Sequence, residues 1–328
     1  MSPLPTFADV QAAARRLEGV TIRTPLLENE RVNRALGGRL FIKAECLQRT
    51  GSFKLRGAYN FLAAMTDADR AKGVVGWSSG NHAQGLAEAA RLMGVKATIV
   101  MPSDAPALKV ANTRASGAEV ILYDRVKESR EAIGHGIAEK TGATIAPPYD
   151  HPWILTGQGT AGIEIAEQAK AAGVTLDAVA APCSGGGLAT GVALGVQGLS
   201  PTTAVHAGEP AGFDDLARSL ASGTKQKNDK LSGSICDALL APTPGDVTFP
   251  LAQKVLGPGL VVSDDEVLDA MELAFREFKL VVEPGGAVAL AAALTGKLLV
   301  KGRAVAVVCS GGTVDHETFK RALGRAKA

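Results

Sequence analysis

The stretch that decides the fold of this chain lies near its N-terminus and reads Gly51-Ser52-Phe53-Lys54-Leu55-Arg56-Gly57-Ala58. A turn-like segment precedes it and an amphipathic run follows it, so Lys54 is predicted to lie at the N-terminus of a helix. The helix dipole disfavours the ammonium form there, and the neighbouring apolar side chains disfavour it further by desolvation. A neutral amine can form a Schiff base. Taken alone, the stretch is still more typical of a solvated lysine at a helix start, because most lysines are exposed.

Outward from this stretch, short apolar runs alternate with amphipathic ones. The runs predicted as strands are residues 40–44, 73–77, 97–101, 119–123, 144–145, 178–181, 203–207 and 304–308. Predicted helices include residues 7–17, 59–65, 127–140, 159–171 and 286–294, and a helix after the capping box at Ser263 that carries Leu268, Met271, Phe275 and Phe278 on one face. This alternation predicts an α/β fold with parallel sheets covered by helices.

The proline-rich run at residues 147–152 is the clearest boundary, because proline interrupts both helices and strand ladders. We therefore predict two interleaved domains, each a mainly parallel sheet flanked by helices. The large domain would comprise residues 1–72 and 149–328, and the small domain residues 73–148. The small domain is expected to close over Lys54, with Pro147-Pro148 as the hinge.

Composition excludes several classes of function. The 328 residues carry a net charge of +2 with both signs well mixed, which argues against nucleic acid or another polyanion as a partner. The cysteines, Cys46, Cys183, Cys236 and Cys309, are too far apart for a zinc site or a disulfide framework. No signal peptide and no membrane-spanning run is predicted. We expect a cytoplasmic protein without a membrane partner.

A glycine loop, Ser184-Gly185-Gly186-Gly187-Leu188, lies between a predicted strand and a predicted helix. Ligands of parallel α/β sheets bind at such strand ends, where backbone N–H groups and a helix N-terminus favour an anion. The next glycine, Gly191, is one place too far for a dinucleotide fingerprint, so a single phosphate is predicted. A simple tight turn is the alternative.

Two further strand ends carry polar groups. The loop from Ser78 through Ser79 to Asn81 and His82 offers hydroxyls, an amide and backbone donors for a carboxylate, or else forms an ordinary N-cap. Ser310, before two glycines, could face a ring nitrogen without imposing a charge, or could belong to a turn. An amine, a phosphate cradle, a carboxylate cradle and a neutral partner for a ring nitrogen are together what pyridoxal phosphate and an amino acid require.

On these motifs the chain resembles the fold type II pyridoxal-phosphate enzymes, whose fold is like that of tryptophan synthase β, in the threonine dehydratase and serine racemase branch. The resemblance runs over the whole length, and it rests on residues 51–58, 78–84, 157–160, 184–188, 283–286 and 310–312. It implies that Lys54 binds the cofactor covalently, with Phe53 beside the ring. It also implies that Ser184 and the following residues to Leu188 bind the phosphate, and that Asn81, Glu283 and Ser310 complete the cofactor site. The substrate carboxylate would lie on Ser78, Asn81 and His82.

Two residues bear on which member of the branch this is. Ser79 matches the serine of serine racemases and hydroxyaspartate dehydratases, and could move a proton on the face opposite Lys54, or merely cap the helix. By the resemblance, Arg130 matches an arginine that lies near a bound dicarboxylate. Its guanidinium could bind the side-chain carboxylate of a substrate, or it could be solvent-exposed.

Glu209, Phe213 and Asp215 resemble a divalent-metal site, in which two carboxylates and the Phe213 carbonyl would hold structural Mg²⁺ or Ca²⁺. Surface acids that cap a helix are the alternative. The expected protein is thus a homodimeric ammonia-lyase that dehydrates an L-β-hydroxy amino acid, serine or threonine first, and so yields a 2-oxo acid and ammonia. A 3-hydroxyaspartate dehydratase, a serine or aspartate racemase, and a non-catalytic binding protein for pyridoxal phosphate or an amino acid remain as alternatives.

Overall fold

A computed structural model describes residues 3–105 and 107–325. The strands are β1 (Leu26–Glu28), β2 (Arg39–Lys43), β3 (Val74–Trp77), β4 (Ala97–Pro102), β5 (Glu119–Tyr123), β6 (Thr144–Ile145), β7 (Ala178–Pro182), β8 (Ala204–Pro210), β9 (Leu260–Val262) and β10 (Ala304–Val308). The helices are α1 (Phe7–Leu17), α2 (Glu30–Leu36), α3 (Lys54–Ala64), α4 (Asp67–Lys72), α5 (Asn81–Met93), α6 (Ala107–Ala115), α7 (Arg130–Thr141), α8 (Pro152–Ala171), α9 (Gly187–Leu199), α10 (Asp215–Ser222), α11 (Thr248–Val255), α12 (Asp264–Phe278), α13 (Pro284–Leu294) and α14 (His316–Leu323).

The strands form two sheets, as predicted. The larger has the order β1-β2-β10-β7-β8-β9 and the smaller the order β5-β4-β3-β6. Every described pair of neighbours is parallel except β1 with β2. The mixed α/β fold class is therefore confirmed.

Apolar strand residues cover both faces of the larger sheet. In β10, Val305 and Val307 lie in the core beneath α12 and α13, whereas Ala306 and Val308 lie in the core beneath α8 and α9. Alternation of side chains along a strand explains this division, and burial on both faces explains why the strands read as continuous apolar runs.

The third core belongs to the smaller sheet and includes side chains of α3. Leu55, Phe61 and Leu62 pack there against residues of β3, β4 and α5. The helix that begins at Lys54 thus reaches the smaller sheet. The domain limits proposed above stay a prediction.

Several element boundaries differ from the predicted ones. Helix α8 begins at Pro152 instead of residue 159, because proline is compatible with the first helical turn and the His151 side chain caps it. Helix α7 begins at Arg130 instead of residue 127, where the Ser129 hydroxyl accepts the N–H of Ala132. Phe275 is 42% exposed and packs edge-on against Phe319, so it does not share the buried face of α12.

Several short elements were not predicted from the sequence, among them α2, α4 and α11. Directly after the predicted helix at residues 59–65, Thr66 caps α4, because its hydroxyl accepts the N–H of Asp69. The capping box at Ser263 is confirmed. Within the two described ranges, no helix has the length and apolar character needed to cross a membrane.

Candidate active site

The segment that leads into Lys54 is fastened to the segment that follows β10. Ser52 forms an isolated antiparallel bridge with Gly311, and the N–H of Phe53 donates to the Ser310 carbonyl at 3.1 Å. Helix α3 then starts at Lys54, as predicted. The central strand of the larger sheet therefore brings Ser310 next to a lysine that lies more than 250 residues earlier in the chain.

Lys54 is half-buried as a residue. Its Nζ donates to the Pro148 carbonyl at 2.7 Å and lies 5.2 Å from the centre of the Phe53 ring. Burial lowers the pKa of Lys54 to about 8, and the negative charge of Glu283 opposes that shift. A substantial fraction of the amine is therefore neutral near physiological pH.

A close approach of two helices places the Asn81 loop beside this amine. A Cβ on Gly85 would lie 3.0 Å from the Lys54 backbone and from its Cβ, so the glycine lets α5 pack against the start of α3. Asn81, the first residue of α5, donates through Nδ2 to Glu283 Oε1 at 2.5 Å. Burial raises the pKa of Glu283 to about 7, while the bond from Asn81 lowers it. Asn81, Glu283 and Lys54 thus form one charge-coupled group.

His82 is buried beneath the loop. Its imidazole is 4% exposed, and its Nε2 lies 3.0 Å from the Ala146 carbonyl, which requires that nitrogen to be the donor. Burial lowers the pKa of His82 to about 3, and the charge of Lys54 lowers it further, so the ring is neutral. The accessible polar groups of the loop are the side chains of Ser78 and Ser79.

The glycine loop meets the requirements of a phosphate. Gly186 has φ of +100°, in the left-handed region that glycine favours, and α9 begins at the next residue. In the described part of the chain, the backbone N–H groups of Gly185, Gly187 and Leu188 donate to no protein acceptor. These unused donors lie at a helix N-terminus, where an anion is stabilised. The Thr248 hydroxyl donates to the Gly185 carbonyl at 2.5 Å and holds the loop in place.

Ser310 completes the same cleft at the end of β10. The residue is 4% exposed, and its hydroxyl donates to no acceptor within the ranges described. Gly311, beside it, leaves room for the Glu283 carboxylate, which a side chain at that position would overlap. The structure therefore brings Lys54, Asn81, Glu283, Ser310 and the glycine loop together. These groups fit an aldehyde that also carries a phosphate and a ring nitrogen.

Ser79 and Arg130 line a small cavity of about 30 Å³ at the carboxyl ends of β3, β4 and β5. Ser78, Tyr123 and Arg125 also line it. Arg130 is half-exposed and pairs with Glu131 at 2.8 Å, and Arg125 pairs with Asp104 at 2.7 Å. Sequence reasoning missed Arg125, although its position two residues after β5 was a usable signal, because ligands bind at such strand ends.

Glu209 and Asp215 are buried together near the glycine loop. The Glu209 oxygens accept the N–H groups of Leu216 and Ala217 at 3.0 and 2.7 Å, and Asp215 Oδ1 accepts Asn228 Nδ2 at 2.6 Å. Asp215 Oδ2 is buried without a hydrogen-bond partner in the described ranges. Burial raises the pKa of Glu209 well above its usual range and that of Asp215 to about 6. Glu209 thus caps the start of α10, and within the described ranges the unused Asp215 oxygen is what this pair offers a cation.

Comparisons with known proteins extend the likeness beyond the cleft. The sequence profile of the family described as pyridoxal-phosphate dependent enzymes matches residues 17–311. An L-threo-3-hydroxyaspartate ammonia-lyase from a Pseudomonas species is 44% identical over 320 residues, which cover 98% of this chain and 99% of that protein.

Two solved structures are similar over nearly their whole length. A threonine deaminase from T.th. matches with a TM-score of 0.89 and 43% identity, covering 95% of this chain and 99% of that one. A serine racemase from maize matches with a TM-score of 0.91 and 36% identity, covering 98% of both chains. The likeness therefore extends over the whole architecture and is not confined to one motif.

Proposed function

This chain belongs to the pyridoxal-phosphate dependent enzyme family, and we propose that within it the protein is an ammonia-lyase. It eliminates water from an L-β-hydroxy amino acid, and the enamine released is hydrolysed to a 2-oxo acid and ammonia. The observation that carries the proposal is the Lys54 amine, whose pKa of about 8 leaves it partly neutral beside a loop of unused backbone donors.

The residues proposed to hold the cofactor are Phe53, Lys54, Asn81, Ser184, Gly185, Gly186, Gly187, Leu188, Glu283 and Ser310. When bound, pyridoxal phosphate supplies an electron sink for the bond that is broken at the substrate's Cα. Lys54, as the neutral amine, removes the Cα proton. Ser310 would offer the ring nitrogen a hydroxyl instead of an acid, so this residue would not add a proton to it. Ser78 and the start of α5 hold the substrate carboxylate.

An assay for 2-oxo acid and ammonia tests this proposal. The purified protein with pyridoxal phosphate is given L-serine, D-serine, L-threonine and the erythro and threo isomers of 3-hydroxyaspartate, and the remaining substrate is analysed by chiral chromatography. We expect 2-oxo acid from at least one L-β-hydroxy amino acid. Borohydride reduction should also fix the cofactor on Lys54, as a peptide map would show. A protein without either result is not an ammonia-lyase.

Within this class, the two arginines at the small cavity favour a substrate with a side-chain carboxylate, such as 3-hydroxyaspartate. Arg125 and Arg130 line that cavity together with the Ser79 hydroxyl, and the guanidinium groups are suited to a carboxylate. Arg130→Ala is expected to raise KM for hydroxyaspartate about tenfold while leaving KM for serine unchanged. Equal changes in KM for both substrates would show that Arg130 does not bind the side-chain carboxylate.

Ser79 supports a racemase as a further candidate, because its hydroxyl is accessible in the loop next to the Lys54 amine. A racemase needs a second group that exchanges a proton with Cα on the face opposite the lysine. Ser79→Ala should then abolish the conversion of L-serine to D-serine and spare elimination. Loss of both activities in parallel would assign Ser79 to binding alone.

We also propose a structural divalent cation, Mg²⁺ or Ca²⁺, at Glu209, Asp215 and the Phe213 carbonyl. The unused Asp215 oxygen and the raised pKa values of both acids support it.

A homodimer in the cytoplasm is the proposed state of the protein. Light scattering of the purified chain would show whether it is a dimer.

A further inference from the structure

The short segment between β6 and α8 crosses the candidate active site and is fastened on both sides of Tyr149. On one side, the Pro148 carbonyl accepts Lys54 Nζ at 2.7 Å. On the other, the Asp150 carboxylate accepts the N–H groups that open α11, those of Asp246, Val247 and Thr248, at 2.7, 2.9 and 3.2 Å. Tyr149 is therefore held in a defined position between the lysine and the glycine loop.

The Tyr149 side chain lies along the glycine loop from its backbone to its tip. A Cβ on Gly187 would lie 3.1 Å from both the Cβ and the carbonyl oxygen of Tyr149. A Cβ on Gly185 would overlap three ring carbons, including Cζ, which carries the hydroxyl. The phenol oxygen is one bond beyond Cζ, so it lies beside Gly185. The absence of side chains at these two glycines is what lets the ring pack there.

The phenol is a donor that the protein does not use. Within the described ranges, the Tyr149 hydroxyl makes no hydrogen bond to a protein group. Burial raises the pKa of Tyr149 above its usual value, and the charge of Asp150 adds to the shift, so the hydroxyl keeps its proton at neutral pH. A protonated phenol beside a loop of unpaired backbone donors suits an anion with several acceptor oxygens.

We propose that Tyr149 is a further phosphate-binding residue, whose phenol donates a hydrogen bond to the cofactor phosphate at the glycine loop and whose ring shields that phosphate from water. The inference rests on the proposed binding of pyridoxal phosphate at Lys54. The phosphate is a better fit than the substrate side chain, because the Tyr149 ring and backbone pack directly on Gly185 and Gly187 of the glycine loop.

Two aldehydes that differ only in the phosphate test this role. Apoprotein with Tyr149→Phe, wild-type apoprotein and a Tyr59→Phe control are titrated with pyridoxal phosphate and with pyridoxal, and the absorbance band of the lysine adduct is followed. Tyr59 is a partly buried tyrosine of α3 that packs in the core of the smaller sheet. A hydrogen bond to a charged group corresponds to an affinity change of about tenfold or more. We expect Tyr149→Phe to raise Kd for pyridoxal phosphate by at least about tenfold and to leave Kd for pyridoxal unchanged.

Inorganic phosphate supplies a second measurement that needs no covalent step. It should raise the apparent Kd for pyridoxal phosphate, but not that for pyridoxal, in wild type and in Tyr59→Phe, and about tenfold more phosphate should be needed for the same rise in Tyr149→Phe. An unchanged preference for pyridoxal phosphate over pyridoxal in Tyr149→Phe would overturn the inference. Equal losses of affinity for both aldehydes, with a lower Tm, would also overturn it, because they indicate that the ring only packs. A raised KM with normal cofactor affinity would overturn it too, because it indicates that Tyr149 contacts the substrate. A wild-type protein that forms no adduct with either aldehyde would instead refute the proposed function itself.

Discussion

Lys54 and Arg56 are two residues apart on the same helix, yet the protein treats their charges in opposite ways. Arg56 is completely buried, and it donates to Glu45 at 2.8 Å and to Glu164 at 2.7 Å. Lys43 donates to the other Glu164 oxygen at 2.5 Å, so two cations balance two carboxylates. Lys54 has only a backbone carbonyl as a hydrogen-bond partner in the described ranges, and its nearest influential carboxylate, Glu283, acts from a distance.

The two pKa shifts express this difference. Burial disfavours charge on both side chains, but the carboxylates of Glu45 and Glu164 overcome it and raise the pKa of Arg56. At Lys54, burial dominates and lowers the pKa to about 8. The comparison teaches that a buried cation with full partners serves the structure, whereas a cation kept short of a partner is available for chemistry.

Replacing the lysine should have the largest effect on activity and almost none on folding. Lys54→Ala is expected to lower kcat by about a hundred-fold to ten-thousand-fold, because the variant loses the base. Its Tm, measured on the apoprotein, should match wild type or rise slightly, since an unfavourable buried amine has been removed. A large fall in Tm would mean that Lys54 is a structural cation like Arg56.

Replacing the arginine should do the reverse. Arg56→Met leaves the carboxylates of Glu45 and Glu164 buried with too few cations, and it is expected to lower the free energy of unfolding by about 3–5 kcal/mol. Urea unfolding of the apoprotein measures this change, and Arg56→Lys, which keeps the charge, should lose less. If Arg56→Met unfolds like wild type but is inactive, the contrast between the two residues is wrong.

The same contrast explains what could be predicted from the sequence. The positions of Lys54, the glycine loop and Ser310 were predictable, because each lies at a strand or helix end that is visible in a few adjacent residues. The pairing of Arg56 was not predictable, because Glu45 and Glu164 lie 11 and 108 residues away along the chain. Tyr149 was read only as part of a proline-rich boundary, since its contact with Gly185 exists only after folding. Helix α8 was begun seven residues late because Pro152 was taken as a breaker instead of a first-turn residue.

Glu209 and Asp215 extend the comparison to buried acids, for which we proposed a cation as the partner. Mg²⁺ or Ca²⁺ at about one hundred times its Kd should stabilise wild type by about 2.7 kcal/mol, and a chelator should remove that gain. Asp215→Asn should abolish the response, while Asp229→Asn, in an exposed loop, should keep it. Thermal unfolding at pH 7 measures the difference. Identical unfolding of wild type with chelator and with saturating metal would exclude the site.

The metal-free protein should also respond to pH at this pair. The pKa of Asp215 is raised to about 6 from an ordinary value of 3.8, so between those values the folded chain binds more protons than the unfolded chain. Stability contributed by this group therefore falls as pH rises from about 4 to 6. The difference between wild type and Asp215→Asn, measured with chelator, isolates that slope.

The smallest expected effect is on the pKa of Lys54, when the charge of Glu283 is removed. Because the pKa of Glu283 is raised only to about 7, this carboxylate is mostly ionised at pH 8, where its charge stabilises the Lys54 ammonium. Glu283→Gln removes the charge and keeps an oxygen for Asn81. It should lower the pKa of Lys54 below 8 by less than about one unit, which corresponds to less than about 1.4 kcal/mol.

NMR titration of apoprotein labelled with ¹³C-lysine measures this pKa, with the Lys54 signal assigned by its loss in Lys54→Arg. Glu88→Gln is the matched control, since that glutamate pairs with Arg91 on α5. A midpoint near 10.5 in wild type would show that Lys54 is solvated like an ordinary surface lysine. A midpoint near 8 that does not move in Glu283→Gln would show instead that burial alone sets it. The titrations therefore separate the effect of burial on the pKa of Lys54 from the effect of the Glu283 charge.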